Sequence, residues 1–226
     1  DAARANSPRH GNAITDWNTV AIKAFTPFEG TNPMAHSRIL AILHASIHDA
    51  LNAIDRRYAS YTPGVPASPG ASPEAAVASA ARTVLVALFP EQSPMVNEAY
   101  ARALLALPDG PAKVAGIVTG QSAAEATLAR RLGDGAEKGA EPAYVPRPGP
   151  GEYQFTPPFT FAAQPGWGRV QPFIIDLKEH EVEGPQPLDS LQYTRDFDYL
   201  KAIGRIDSTV RTEEQSETAK FWYEDS

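Results

Sequence analysis

The stretch SRILAILHASIHD, from Ser37 to Asp49, combines a serine, an arginine, two histidines and an aspartate. His44 and His48 are four positions apart, so on an α-helix they share a face and could bind one zinc ion. Arg38 is a cation that could hold an anion, and a carboxylate beside a histidine can orient its imidazole ring. The stretch therefore suggests either a metal centre or an oxyanion site.

The metal hypothesis lacks a third ligand. From His36 to His48 a helix rises about 18 Å, which is too far for three histidines to surround one tetrahedral ion. No glutamate separates His44 from His48 in the pattern of helical zinc proteases, and the chain has no cysteine. The simpler interpretation is a core helix with polar residues at its margins, in which Asp49 pairs with a nearby arginine or caps a neighbouring helix.

The elements around this helix are also predicted to be helical. Up to residue 132, apolar residues recur at helical spacing, which indicates five amphipathic helices and an all-α helical bundle. Asn32 before Pro33, and Ser72 further along, are typical of helix starts. Gly116 and Gly120 fall on one face of the fifth helix, where they would allow close packing against a neighbour.

The sequence changes character between residues 133 and 188. Ten of the 21 prolines fall there and no helical period survives, but many aromatic residues argue against disorder. We expect an ordered, irregular segment that wraps over the helices. Helices resume in residues 189–226, as a continuation of the same domain, where Thr212 and Gln215 form a capping box. The last helix carries Phe221, Trp222 and Tyr223, which need a surface to pack against and are the predicted partner-docking residues.

Composition argues against several classes of function. The net charge of −7 and the absence of a basic run argue against nucleic-acid binding, and the longest apolar runs are too short to span a bilayer. The chain starts DAARANSPRHGN, which is typical of a processed terminus or of a boundary chosen within a longer protein. Composition and the resemblance described next together favour a periplasmic or secreted protein.

A family resemblance is carried by three segments, ILHASIHDALNAIDRRYASY, PGWGRVQPFII and LDSLQYTRDFDYLKAIGRIDSTVRTEEQSETAKFW. In this order and spacing they resemble the N-terminal half of bacterial vanadium-dependent haloperoxidase-like proteins, in the type-2 phosphatidic acid phosphatase superfamily. The resemblance implies an all-helical fold built around two four-helix bundles. It also implies peroxide-dependent halide oxidation by an oxidoreductase, or phosphate-ester hydrolysis as in acid phosphatases, at a site that binds vanadate or phosphate.

In that family the oxyanion is held by three sequence boxes in the C-terminal half: a lysine with a downstream Arg-Pro, Pro-Ser-Gly-His, and Ser-Arg followed by a histidine. This chain has no Ser-Gly-His, and Lys201 lacks the Arg-Pro. Ser37, Arg38 and His44 have the spacing of the third box, but Asp49 is one residue out of register, which rotates it by about 100° on a helix. A partial box cannot neutralise vanadate, so no cofactor is expected on this chain alone.

Two functions follow as hypotheses. In the first, the chain is the N-terminal helical scaffold of such an enzyme, and its partner is the C-terminal catalytic half or a second chain. We expect the oxyanion-binding boxes to lie on that other part. In the second, the chain is a non-catalytic interaction subunit that docks through Phe221, Trp222 and Tyr223, on a partner or on a second copy as a homo-oligomer.

Overall fold

The structure is a computed structural model that describes residues 12–28, 33–180 and 182–223. Within these ranges it contains seven α-helices and no β-strand, which confirms the predicted all-α fold. The helices are α1 (Ala13–Phe25), α2 (Pro33–Ile54), α3 (Pro73–Leu88), α4 (Ser93–Leu105), α5 (Pro111–Arg131), α6 (Leu191–Gly204) and α7 (Glu213–Tyr223).

The chain divides into two compact units. One consists of the described residues up to Ala143 with Ala162–Ile174 and contains α1 to α5. The other consists of Tyr144–Phe161 with the described residues from Ile175 onward and contains α6 and α7.

Helix α3 lies at the centre of the first unit and packs against α1, α2, α4 and α5. Its sequence, PEAAVASAARTVLVAL, is rich in alanine, and nine of its sixteen residues are buried. Small side chains allow neighbouring helices to approach on several sides. The larger side chains of the core come mostly from those neighbours, and include Trp17, Ile42, Leu43, Ile47 and Val96.

The two glycines of α5 bring its backbone against α3, as the sequence predicts. A Cβ atom on Gly120 would overlap the carbonyl oxygen of Ala76 and lie 2.8 Å from the amide nitrogen of Ala80. A Cβ atom on Gly116 would lie 2.9 Å from the Cβ of Ala75. The cost in helix propensity of about 1 kcal/mol per glycine is therefore offset by close helix packing.

Two of the predicted helix starts have the expected capping bonds. The Ser72 hydroxyl accepts a hydrogen bond from the amide of Ala75 at 3.2 Å. At the start of α7 the Thr212 amide donates to the Gln215 side chain at 3.0 Å, and the Gln215 amide donates to the Thr212 hydroxyl at 3.1 Å. Asn32, the third predicted cap, lies outside the described residues.

In the described part of residues 133–188 there are short 3₁₀ turns and no α-helix. In the first unit Phe173 packs against the core and its ring lies 5.7 Å from that of Tyr61. In the second unit Tyr144, Tyr153 and Phe155 contact one another edge-on, with centroids 5.4 to 6.3 Å apart. Phe173 therefore anchors its part of the segment to the core of the first unit, and Tyr144, Tyr153 and Phe155 form a local cluster in the second unit.

In the second unit α6 and α7 are joined by Arg211. Its guanidinium donates to the carbonyl oxygens of Ile203 at 2.8 Å and Arg205 at 2.9 Å, and to the Ser216 hydroxyl at 3.1 Å. None of the described residues of α6 and α7 is buried. No helix in the described ranges combines the length and apolarity needed to cross a membrane.

Candidate functional site

Arg38, the cation of the partial oxyanion box, already has a carboxylate partner in the structure. Its Nε donates to Asp134 at 2.8 Å, and its Nη2 donates to the carbonyl oxygen of Arg131 at 3.3 Å. The same carboxylate accepts from the Nε of Arg131 at 2.9 Å. Asp134 and Arg131 have side-chain exposures of only 1% and 2%. Arg38 therefore neutralises a buried aspartate.

This Arg38–Asp134–Arg131 cluster attaches the loop after α5 to the bundle. Burial alone would raise the pKa of Asp134, but hydrogen bonds from Arg38, the Ala136 amide and Arg131 lower it overall. The Arg131 guanidinium also donates to the Pro172 carbonyl oxygen at 3.1 Å and lies over the Phe173 ring, 4.0 Å from its centroid. The buried carboxylate of Asp134 thus binds two arginines, and together they connect α2, the loop after α5 and the segment at Pro172.

The other polar residues at the ends of the opening stretch have local roles. The Ser37 hydroxyl donates to the Pro33 carbonyl oxygen one turn earlier, at 3.1 Å. Asp49 accepts the amides of Tyr61 and Thr62, each at 2.7 Å. The prediction that Asp49 pairs with an arginine or caps a helix was wrong, because its partners are the amides of the loop that follows α2. Asp49 still has the predicted packing role, because these two bonds hold that loop against α2.

His44 and His48 each use one ring nitrogen within the protein. His44 Nε2 lies 3.1 Å from the Asn18 side-chain oxygen, and His48 Nε2 lies 3.0 Å from the carbonyl oxygen of Ala59. A carbonyl oxygen can only accept, so His48 donates from Nε2. Burial lowers the pKa of His44, which keeps its ring neutral at pH 7.

The predicted histidine metal pair has no third ligand in the described residues. His36 instead stacks on Phe25, with ring centroids 4.3 Å apart. No group of three or more histidine, aspartate or glutamate side chains in the ranges that the structure describes is arranged to hold a metal ion.

The two histidines do share a cleft of about 620 Å³ in the first unit, which we name the Tyr61 cleft. Its walls are α2, the loop that Asp49 holds, the end of α5 and the segment after Gln171. The lining residues are Ala41, His44, Ala45, His48, Ala59, Ser60, Tyr61, Arg130, Phe173 and Ile174. Sequence analysis did not predict Tyr61 and Arg130, although Arg130 is one of two consecutive arginines in the last turn of α5.

The predicted docking residues of α7 are exposed. Phe221, Trp222 and Tyr223 expose 69%, 80% and 85% of their surfaces. The rings of Phe221 and Trp222 meet edge-on with centroids 5.3 Å apart. This is the only one of the predicted site groups that offers a large apolar surface within the part of the chain described.

Comparisons with protein-family models, with curated proteins and with solved structures found no match for this chain. They therefore assign no family, and the haloperoxidase-like resemblance stays a prediction.

Proposed function

We propose that this chain is the helical scaffold of a vanadium haloperoxidase-like or acid-phosphatase-like protein, whose oxyanion-binding boxes lie on other sequence. The proposal rests on the three segments that resemble the N-terminal half of that family. The contacts of the partial box also support it, because Arg38 is bound to Asp134 and is not available to a vanadate or phosphate ion.

The observation that carries the proposal is the exposed apolar surface of α6 and α7. Besides the aromatic residues at the end of α7, Phe197 and Leu200 of α6 expose 53% and 65% of their surfaces. Burying a side chain of this size removes it from water at a gain of about 1.5–3 kcal/mol. Two helices with several such residues favour association with another apolar surface.

The occupant we assign to this surface is the catalytic part of the same enzyme. In this arrangement the chain holds the catalytic helices in place and forms one wall of the substrate cleft. The reaction would be peroxide-dependent halide oxidation or phosphate-ester hydrolysis at a vanadate or phosphate site built by that other part. The protein would act in the periplasm or outside the cell.

A second candidate, favoured by the exposure of Phe221 to Tyr223, is a non-catalytic subunit that docks on an unrelated partner or on a second copy. Its surface is the same, so the two candidates differ in what covers α6 and α7 and in whether an oxyanion is bound.

Hydrogen–deuterium exchange tests both candidates. We would compare native material with the isolated 226-residue chain, and use the buried helix α3 as an internal control that is protected in both samples. Slower exchange in residues 191–223 of native material, together with about one vanadium or phosphate per assembly, is the result expected for the scaffold. Slower exchange without an oxyanion would favour the second candidate, and equal exchange in both samples would contradict both.

A further inference from the structure

The Tyr61 cleft has the charge of a site for a small monoanion. Arg130 is the only lysine or arginine among its lining residues, and none of those residues is a carboxylate. Within the described ranges Arg130 forms no ion pair, but it donates to the Tyr61 carbonyl oxygen and lies 4.1 Å from the centroid of the Tyr61 ring. A guanidinium has five N–H donors, so donors remain for a bound anion.

Tyr61 supplies a second, independent indication of a ligand. Its hydroxyl is the one buried side-chain oxygen or nitrogen in the described residues for which the structure shows no hydrogen-bond partner. Buried polar atoms nearly always have a partner, which is protein, water or a bound molecule. Because Tyr61 is one of the residues that line the cleft, we take a molecule bound there as the missing partner of this hydroxyl.

The remaining walls are suited to a flat apolar group. Ala41 and Ala45 are one turn apart on α2 and form a smooth apolar surface. The rings of Tyr61 and Phe173 also line the cleft and are inclined at 31° to each other. Stacked and edge-on contacts with such rings favour an aromatic ligand. His44 is kept neutral by burial and so does not add a second positive charge there.

We infer that the Tyr61 cleft binds a small aromatic carboxylate. Its carboxylate would pair with Arg130, and its ring would lie between the alanine surface of α2 and the rings of Tyr61 and Phe173. A single guanidinium matches a charge of −1, whereas a phosphate dianion usually requires several cations. A volume of about 620 Å³ is in the range of small-molecule sites. This inference does not depend on the proposed scaffold function.

Three probes separate the contributions of ring and charge. Benzoate carries both, benzamide carries the same ring without the charge, and inorganic phosphate carries charge without a ring. Each is titrated into the ¹⁵N-labelled chain while amide shifts are followed by NMR. We expect benzoate to shift the amides of residues 59–61 and 130, benzamide to bind at least about tenfold more weakly, and phosphate to leave these amides unshifted.

Variants of the two polar lining residues test the assigned contacts. Arg130→Gln is expected to weaken benzoate binding at least about tenfold and to abolish the preference over benzamide. Arg130→Lys keeps the charge but not the planar fork, and should bind with intermediate affinity. Arg102→Gln, which removes an exposed arginine from α4, is the matched control and should bind as the unchanged chain does.

Tyr61→Phe provides a readout that does not depend on folding. Its hydroxyl has no partner in the structure, so its removal is expected not to lower the unfolding midpoint of the free chain, while it weakens benzoate binding by about fivefold. The inference would be overturned if about 10 mM benzoate shifted no cleft amide, if benzamide bound equally well, or if Tyr61→Phe lost stability without losing affinity.

Discussion

Replacing Asp134 by asparagine removes the negative charge between two arginines while keeping the shape of the side chain. In the structure this carboxylate is 1% exposed and accepts from Arg38 at 2.8 Å and Arg131 at 2.9 Å. Breaking a buried pair leaves a buried charge without compensation, which costs about 3–5 kcal/mol. Since Arg38 is partly exposed and water can reach it, we take the lower end, about 3 kcal/mol.

The assay is urea unfolding followed by circular dichroism at the helical band. With a dependence on urea of about 2 kcal/mol per molar, Asp134→Asn should lower the midpoint by about 1.5 M. Asp55→Asn is the matched control in the same unit, because Asp55 pairs with Arg57 on the surface and should shift the midpoint little. A shift for Asp134→Asn no larger than that of the control would refute the reasoning.

The same variant has a pH signature. The pKa of Asp134 is lowered in the folded protein, so the stability that its charge contributes is fully present above the unfolded pKa of about 3.9. That contribution is lost as the pH falls through the lower folded value. The difference between Asp134→Asn and the unchanged chain should therefore be constant from pH 7 to 5 and shrink at more acidic pH.

Three further predictions use the same unfolding assay. Gly120→Ala should lower the free energy of unfolding by about 1–3 kcal/mol, because the added Cβ meets the backbone of α3. Gly204→Ala is the control and should cause no loss, because its Cβ meets no atom within 4 Å. Equal effects of the two substitutions would contradict the packing argument. Asp49→Asn should cost about 2 kcal/mol, because the carboxylate accepts two loop amides at 2.7 Å, and an unchanged midpoint would show that these bonds do not hold the loop. Burial lowers the pKa of His44 in the folded protein, so the contribution of its neutral ring to stability is fully present above the unfolded pKa of about 6.5 and is lost as the pH falls through the lower folded value. His44→Gln should therefore flatten the decline in stability from pH 7 to 5, and an unaltered slope would contradict this.

The helices could be predicted because their determinants are local. Ser72 and the Thr212–Gln215 pair form the capping bonds that their spacing predicts, and the glycines of α5 face α3 as expected. The all-α fold follows from the apolar periodicity, which depends on residues three and four positions apart.

The contacts that define the polar sites could not be predicted, because they join distant parts of the chain. Arg38 and Asp134 are 96 positions apart, and their pairing depends on how the loop after α5 folds back to α2. The partners of Asp49 are backbone amides, which carry no signal in the sequence. Tyr61 and Arg130, 69 positions apart, meet only in the folded bundle.

The central claim is that this chain is the scaffold of a larger oxyanion-binding enzyme. The most direct test is the intact mass of protein from its natural source, measured under denaturing and native conditions, with vanadium and phosphorus quantified in the same sample. The account predicts a longer polypeptide or a tightly held second chain, with about one vanadium or phosphate per assembly. A mass of 24.3 kDa under both conditions, with neither element bound, would contradict it.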